Sequence, residues 1–345
     1  MFNFFNKIIN DKSKIFFIAE IGINHNGSIE KAVKMIDYAI KADCSAVKFQ
    51  TFDLKNMLLR NTNLADYQKK DSNKSMFEML EKYNLKLDDF ILLKNYCKKK
   101  KINFLSTPFD LESLYFLNKI GVSAFKVSSG DLDNYMLLDE IKKTKKPFII
   151  STGMSEEREI NNTLNYLNCA NNKLAVLHCI SDYPTKLKDT NFGFFKKLKQ
   201  NLKYEIGFSD HTIGENASLV ATSLGANIIE KHITLDNNLP GPDHSASLNV
   251  KYLKSFVNKI NDIKQSINST KKKITKLEKK TLIVAKKSIY YKKNLEKNSI
   301  IKRKDIIALR PKGKGLSPSQ YKSVLNKSLK RSVKKFTPIK IEDFK

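Results

Sequence analysis

The sequence predicts an α/β fold: a (β/α)8 TIM barrel followed by a small, mostly β domain. Three observations carry this. Between residues 15 and 234 one theme repeats eight times, a short apolar, β-rich run that ends in polar residues. The stretches behind these runs have helical period. From residue 286 the texture changes to short runs broken by turn signals. Strands alternating with helices imply a parallel sheet, and eight such units close a barrel. An open doubly wound sheet usually needs fewer strands and a Gly-rich phosphate turn after the first. Here the first turn reads INHNGS, which lacks the G-x-G-x-x-G spacing.

The eight runs are IFFIAEIG (15–22), SAVKFQTF (45–52), INFLSTPF (102–109), AFKVSSG (124–130), PFIISTG (147–153), LAVLHCI (174–180), EIGFSDH (205–211) and NIIEKHIT (227–234). Between them, 30–40 places Ala32, Val33, Met35, Ile36, Ala39 and Ile40 on one helical face. After them, 250–267 does the same with Val250, Leu253, Phe256, Val257, Ile260, Ile263 and Ile267. Ser28 and Ser155 stand where N-caps belong. The segment 270–285 opens with TKKKITKLEKK and reads as a charged linker or an exposed helix. The organisation expected is a barrel over 1–269, the linker over 270–285 and a small domain over 286–345. In that domain IKRKDI (301–306) is echoed by IKIEDF (339–344), a weak internal symmetry. About 60 residues make a marginal domain that leans on the barrel or on a partner.

Composition narrows the function classes. No run of about 18 apolar residues exists, so no membrane span is expected. The N-terminal MFNFFNKIIN reaches Asp11 and Lys12 too soon for a secretion signal. The four cysteines (44, 97, 169, 179) form no C-x-x-C pair and read as free thiols of a cytoplasmic protein. The net charge is +28, yet only five of the 63 basic residues are arginine, the fork that clamps phosphates and reads guanine. A solvated lysine surface fits better than a nucleic-acid interface, and no nucleic-acid partner is expected.

Catalytic residues of such barrels stand at the C-terminal ends of strands. That rule selects Glu20 with Asn24 and His25; Lys48 and Gln50; Ser106 and Thr107; Lys126, Ser128, Ser129 and Asp131. It goes on to Ser151 and Thr152; Ser181 and Tyr183; Ser209, Asp210 and His211; and Glu230, Lys231 and His232. Lysines among hydroxyls suit a phosphate or carboxylate, and two histidines on neighbouring strands can share one metal. Taken singly, each has an ordinary reading: a rim lysine, a serine capping a helix, His178 in the core, His25 in a turn, His244 in a loop. Their joint placement around one ring is what points to a site for an anionic substrate beside a Lewis-acid ion.

The motifs AEIGINHNGS (19–28), AVKFQTF (46–52), LSTPFD (105–110), FKVSSGDL (125–132), STGMS (151–155), LHCISDYPT (177–185), GFSDHTIG (207–214), IIEKHITLD (228–236) and PGPDHSASL (240–248) resemble, in order, the sialic-acid synthase family. That family comprises N-acetylneuraminate synthase and its legionaminate and pseudaminate relatives. KRKDIIALRPKGKGLSP (302–318) resembles its C-terminal antifreeze-like, or SAF, domain. The resemblance implies condensation of phosphoenolpyruvate with N-acetylmannosamine or a related N-acylated sugar, giving an N-acetylneuraminate-type or legionaminate-type product and phosphate. It implies a manganese-type ion, with magnesium or cobalt as alternatives, on His211 and His232. It implies phosphoenolpyruvate on Lys48, Lys126, Ser129, Ser151, Ser181 and Ser209, with Glu20 and Asp131 as catalytic groups. It implies sugar contacts from Glu20, Gln50, Tyr183 and Asp243. Finally it implies a domain-swapped homodimer in which Arg310 reaches the partner's site. Some family members carry Glu where Asp131 stands and Asn where Ser181 stands.

Two other readings compete. One is a barrel that condenses phosphoenolpyruvate with a phosphorylated aldose, which would want a further cationic site. The other is a non-catalytic carbohydrate-binding protein, which would have no use for the full lysine–histidine ring.

Overall fold

The computed structural model describes residues 2–65, 68–70, 75–267, 269 and 271–345. They form two compact units, 1–269 and 270–345. The first unit opens with an antiparallel hairpin, β1 (Phe2–Phe4) and β2 (Lys7–Ile9). Eight parallel strands follow: β3 (Phe16–Gly22), β4 (Ala46–Thr51), β5 (Asn103–Pro108), β6 (Phe125–Val127), β7 (Phe148–Ser151), β8 (Leu174–Cys179), β9 (Glu205–Asp210) and β10 (Ile228–Thr234). Their hydrogen-bonded order is β5-β4-β3-β10-β9-β8-β7-β6. The first and last strands of that path lie side by side and bring the barrel nearly to closure. The seam falls at β6, whose three residues are the fewest of the eight.

Alternation along each strand divides the barrel into layers. Outward residues such as Phe17, Ala19 and Ile21 of β3, or Val47 and Phe49 of β4, pack under the helices in the largest apolar cluster. The inward column begins apolar, with Phe16, Ile18, Ala46, Leu105, Ala124, Ile149, Ala175, Leu177 and Ile228 filling the lower barrel. Continued by the same period of two, that column becomes polar: Glu20, Lys48, Thr107, Lys126, Ser151, Ser209, Glu230 and His232. The N-terminal hairpin joins the lower layer. Phe2, Phe4 and Ile9 are buried in it, and Phe4 meets Phe16 edge to face at 5.3 Å. Its two turn residues, Phe5 and Asn6, both have left-handed φ (50° and 59°), the backbone that a two-residue hairpin loop demands.

Helix α1 (Ile29–Lys41) buries Ala32, Met35, Ile36 and Ala39, and Ser28 caps it by accepting from the Lys31 amide. The last helix of this unit spans Val250–Ile267, with Leu253, Phe256, Val257 and Ile260 against the barrel wall. Ser155 is not the cap expected of it. The helix Glu157–Leu167 is capped at Glu156, whose amide donates to the Glu159 carboxylate at 2.8 Å. Among the described residues no helix is long and apolar enough to cross a membrane.

In the second unit a helix, Lys276–Ala285, occupies most of the charged segment, capped by Thr275 and Glu278. An antiparallel pair follows, Ser288–Tyr291 against Ile306–Leu309, around a core of Ile289, Tyr291, Ile301, Val324, Leu329, Ile339 and Phe344. The two echoed segments adopt the same turn. In each a buried aspartate, Asp305 or Asp343, accepts from the amide three residues earlier, Lys302 or Lys340. The four cysteines are free thiols, three of them buried and Cys169 half-buried.

Candidate active site

The polar upper layer is a buried network of charge. Lys48 lies 3.1 Å from Glu20 and 3.6 Å from Glu230, and donates to Thr107 Oγ1 at 3.2 Å. Lys126 donates to Ser151 Oγ at 2.5 Å and to the Val127 carbonyl at 2.9 Å, with Glu230 at 3.9 Å. Ser209 donates to Glu230 at 2.9 Å. The four charged side chains are at most 6% exposed. A buried charge is costly unless paired, and here two ammonium groups face two carboxylates.

Each group is tuned by that setting. Burial pushes the Glu20 carboxyl up to about 7; Lys48 opposes the rise and Glu230 adds to it. Burial would raise Glu230 too, but Lys126 and Lys48 outweigh it and hold the carboxylate low. Lys126 is pushed down by burial, whereas in Lys48 the two carboxylates overcome burial and raise it. The ring thus holds one firm carboxylate, one carboxyl near neutrality and two ammonium groups, a set able to receive an anion and to move a proton.

Beside the lysines stand two imidazoles. His211 donates Nδ1–H to the Ile180 carbonyl at 2.6 Å, which leaves the Nε2 lone pair facing Ser209 Oγ at 3.4 Å. Its ring centroid is 5.8 Å from that of His232 and 4.1 Å from that of Tyr183. His232 Nδ1 is buried without a hydrogen-bond partner, 3.8 Å from the Asp243 carboxylate. Burial lowers both imidazoles, His211 to about 4, so both are neutral at physiological pH. Glycine is required at Gly22, where φ is +53° and an added Cβ would lie 3.2 Å from Glu20 Oε1 and 3.3 Å from His232 Cε1. Gln50 donates to Glu20 at 3.4 Å.

A third group lies at the ends of β6, β7 and β8. Ser129 accepts from the Gly153 amide at 3.0 Å and contacts Cys179 Sγ at 3.1 Å. A Cβ on Gly153 would stand 2.2 Å from Ser181 Oγ, so this glycine lets the two serines converge. Asp131 is bonded within its own turn, accepting from Ser128 at 2.5 Å and Asn134 at 3.1 Å, and burial raises it. Arg310 is an exposed residue of the second unit.

The structure therefore gathers Glu20, Lys48, Gln50, Lys126, Ser151, Ser209, His211 and His232 at one barrel mouth. Ser129 and Ser181 meet at one corner, and Tyr183 and Asp243 meet the histidines. Sequence reasoning selects Glu230 as a strand-end residue but gives it no role, and it takes His244 for a loop residue. Glu230 bridges both lysines, and the alternation in IIEKHIT that points His232 inward also points Glu230 inward. His244 is no simple loop residue: it is fully buried, bonded to Thr234 Oγ1 at 2.7 Å and to Asn26 Oδ1 at 2.9 Å. The ordinary readings of His178 and His25 hold, the first bonded to the Thr190 carbonyl at 2.8 Å in the core, the second accepting from the Gly27 amide at 3.1 Å.

Comparison with known proteins shows the family and the fold. The NeuB family model matches residues 35–272 and the SAF domain model residues 286–345. The N,N'-diacetyllegionaminic acid synthase of Campylobacter jejuni is 38% identical over 93% of this chain and 97% of its own. The pseudaminic acid synthase of the same species (strain 81-176) is 30% identical over 97% of this chain and 98% of its own. The crystal structure of the N-acetylneuraminic acid synthetase of Leptospira borgpetersenii, in complex with citrate, superposes with a TM-score of 0.71 at 31% identity, covering 81% of this chain and 94% of that one. The fold together with these relatives marks a TIM-barrel transferase. The chain belongs to the NeuB family and carries a C-terminal SAF domain.

Proposed function

We propose that this enzyme condenses phosphoenolpyruvate with the open-chain form of N-acetylmannosamine or a related N-acylated sugar, yielding a sialic acid of the N-acetylneuraminate or legionaminate type and phosphate. The observation that carries this reading is the buried Lys48–Lys126 pair, set among hydroxyls and next to two neutral imidazoles. Phosphoenolpyruvate brings a carboxylate and a phosphate to two ammonium groups, with Ser151 and Ser209 placed to orient them and Ser129 and Ser181 at the neighbouring corner. Gln50, Tyr183 and Asp243 would meet the sugar.

The donor set fits a divalent ion. His211 Nε2 is left as an acceptor, and His232 Nδ1 is a buried nitrogen without a partner. Among the described residues no group of three His, Cys, Asp or Glu gathers around one point, so these two histidines would hold the ion with water or substrate completing its shell. Manganese, or else magnesium or cobalt, would supply Lewis acidity to the sugar aldehyde.

The chain's own groups do the rest. C3 of phosphoenolpyruvate attacks the aldehyde carbon, and Glu20 gives its proton to the aldehyde oxygen. Water adds to C2, returning a proton to Glu20, and the C2–O bond to phosphate breaks as the C2 hydroxyl proton passes to the departing phosphate, leaving a ketone. In oxygen-18 water the released phosphate should therefore stay unlabelled; label in phosphate means attack at phosphorus and rejects the mechanism. Mass spectrometry of products from phosphoenolpyruvate with a panel of acceptor sugars tests the reaction, and absence of any condensed product rejects it.

The reading includes a cytoplasmic homodimer in which the SAF domain of each chain offers Arg310 to the sugar's N-acyl group at its partner's barrel. Arginine donates in a plane that suits an amide carbonyl. Mixing an Arg310→Ala protein with a Lys126→Met protein should then recover activity once subunits have exchanged. No recovery after demonstrated exchange rejects the shared site.

A further inference from the structure

His211 and His232 face one another from neighbouring strands that are unequally secured. His232 stays within its ladder, paired in register with Glu20 across β3. The ladder between β9 and β10 ends at Asp210 opposite Lys231, and β9 itself ends at Asp210. His211 is the first residue beyond it, so β10 no longer holds its backbone.

Towards β10 side chains take over at that point, while on the other side the His211 carbonyl accepts from the Thr185 amide at 3.0 Å. Asp210 and Lys231 are directly opposite in register, and both point away from the barrel axis because their neighbours point inward. They form an ion pair at 3.0 Å in which neither side chain is more than 1% exposed. Asp210 Oδ1 accepts from the Thr212 amide and from Thr212 Oγ1, both at 2.8 Å, and Oδ2 accepts from Ser218 Oγ at 2.6 Å. Lys231 also donates to the Thr212 carbonyl at 2.7 Å. Thus the residues on both sides of His211 are tied to each other and to the residue preceding His232. A buried pair with its other bonds satisfied is the arrangement that holds one geometry.

We propose that Asp210, Lys231 and Thr212 form a strut behind the barrel wall that sets the separation of the two imidazoles, and so the affinity for the divalent ion. They are positioning residues. The inference rests on the reading of His211 and His232 as the ion's ligands. It goes beyond that reading in assigning the spacing to groups that touch neither the ion nor substrate.

The test is calorimetric titration of Mn2+ and, separately, of phosphoenolpyruvate into metal-stripped protein. Lys231→Met keeps the stem and removes the charge. It should weaken Mn2+ binding about tenfold or more, since supporting groups behind metal ligands typically matter by about 10–100-fold, while phosphoenolpyruvate binding stays within about twofold. Thr212→Val, a milder change that removes only a hydroxyl, keeps the test open if Lys231→Met fails to fold. It should shift affinity the same way, and Thr212→Ser should restore it. Wild-type Mn2+ affinity in folded Lys231→Met or Thr212→Val overturns the strut, as does equal loss of Mn2+ and phosphoenolpyruvate binding. Wild-type protein that binds no Mn2+ overturns the ligand assignment itself, a result distinct from either.

Discussion

At the scale of single residues the site works by setting burial against charge. Glu20 and Glu230 have the same side chain, stand in one buried ring and have opposite outcomes. Glu230 touches both lysines and accepts from Ser209, whereas Glu20 pairs closely with Lys48 alone. The difference leaves Glu20 protonated below about 7 and Glu230 ionised. If Glu20 donates a proton as the carbon–carbon bond forms, the rate must fall as pH rises through that value, because the donor is then lost. Initial rates across pH should show this descending limb near 7, and Glu20→Gln should be slow and lack it. An unchanged limb in Glu20→Gln assigns the proton transfer elsewhere.

At the scale of elements, each barrel strand is a column whose foot is apolar and whose head carries chemistry. The foot needs a floor, and the β1–β2 hairpin supplies it by burying Phe2, Phe4 and Ile9 beneath Phe16 and Ile18. Truncating a fully buried phenylalanine removes its transfer free energy and leaves a cavity, together about 3–5 kcal/mol. Phe4→Ala should therefore lower the urea midpoint of the barrel by a corresponding amount. A variant as stable as the parent would show that the hairpin is an appendage.

At the scale of the whole molecule, the five histidines act in one direction. Burial lowers all of them, His25, His211 and His244 to about 4 from the usual 6.5. Between those values the unfolded chain binds protons that the folded chain refuses, so folding stability is present above 6.5 and is lost as pH falls toward 4. The raised carboxyls of Glu20 and Asp131 pull the other way but are fewer. In metal-free protein the urea midpoint should be higher at about pH 7.5 than at about pH 5. Equal midpoints would mean that the imidazoles are accessible in the folded state.

The order of the elements and the inward set of site residues were legible in the sequence by itself. A strand repeats every two residues and a barrel exposes its strand ends, so the position of a residue within each run already placed Lys48, Lys126, Ser209, His211 and His232 at one mouth. The N-terminal run was read only as too short for a signal, because apolar residues alone do not say which hydrophobic surface they cover. Likewise, nothing in the local pattern around Asp131 says that its carboxylate turns to Ser128 and Asn134. The same holds for Glu230, whose ionisation depends on two lysines more than 100 residues away in the chain, and for the pairing of Asp210 with Lys231. Sequence period determined which face each side chain takes. Only the tertiary structure decided which charges meet behind that face, because Coulomb energy and burial depend on distance in space.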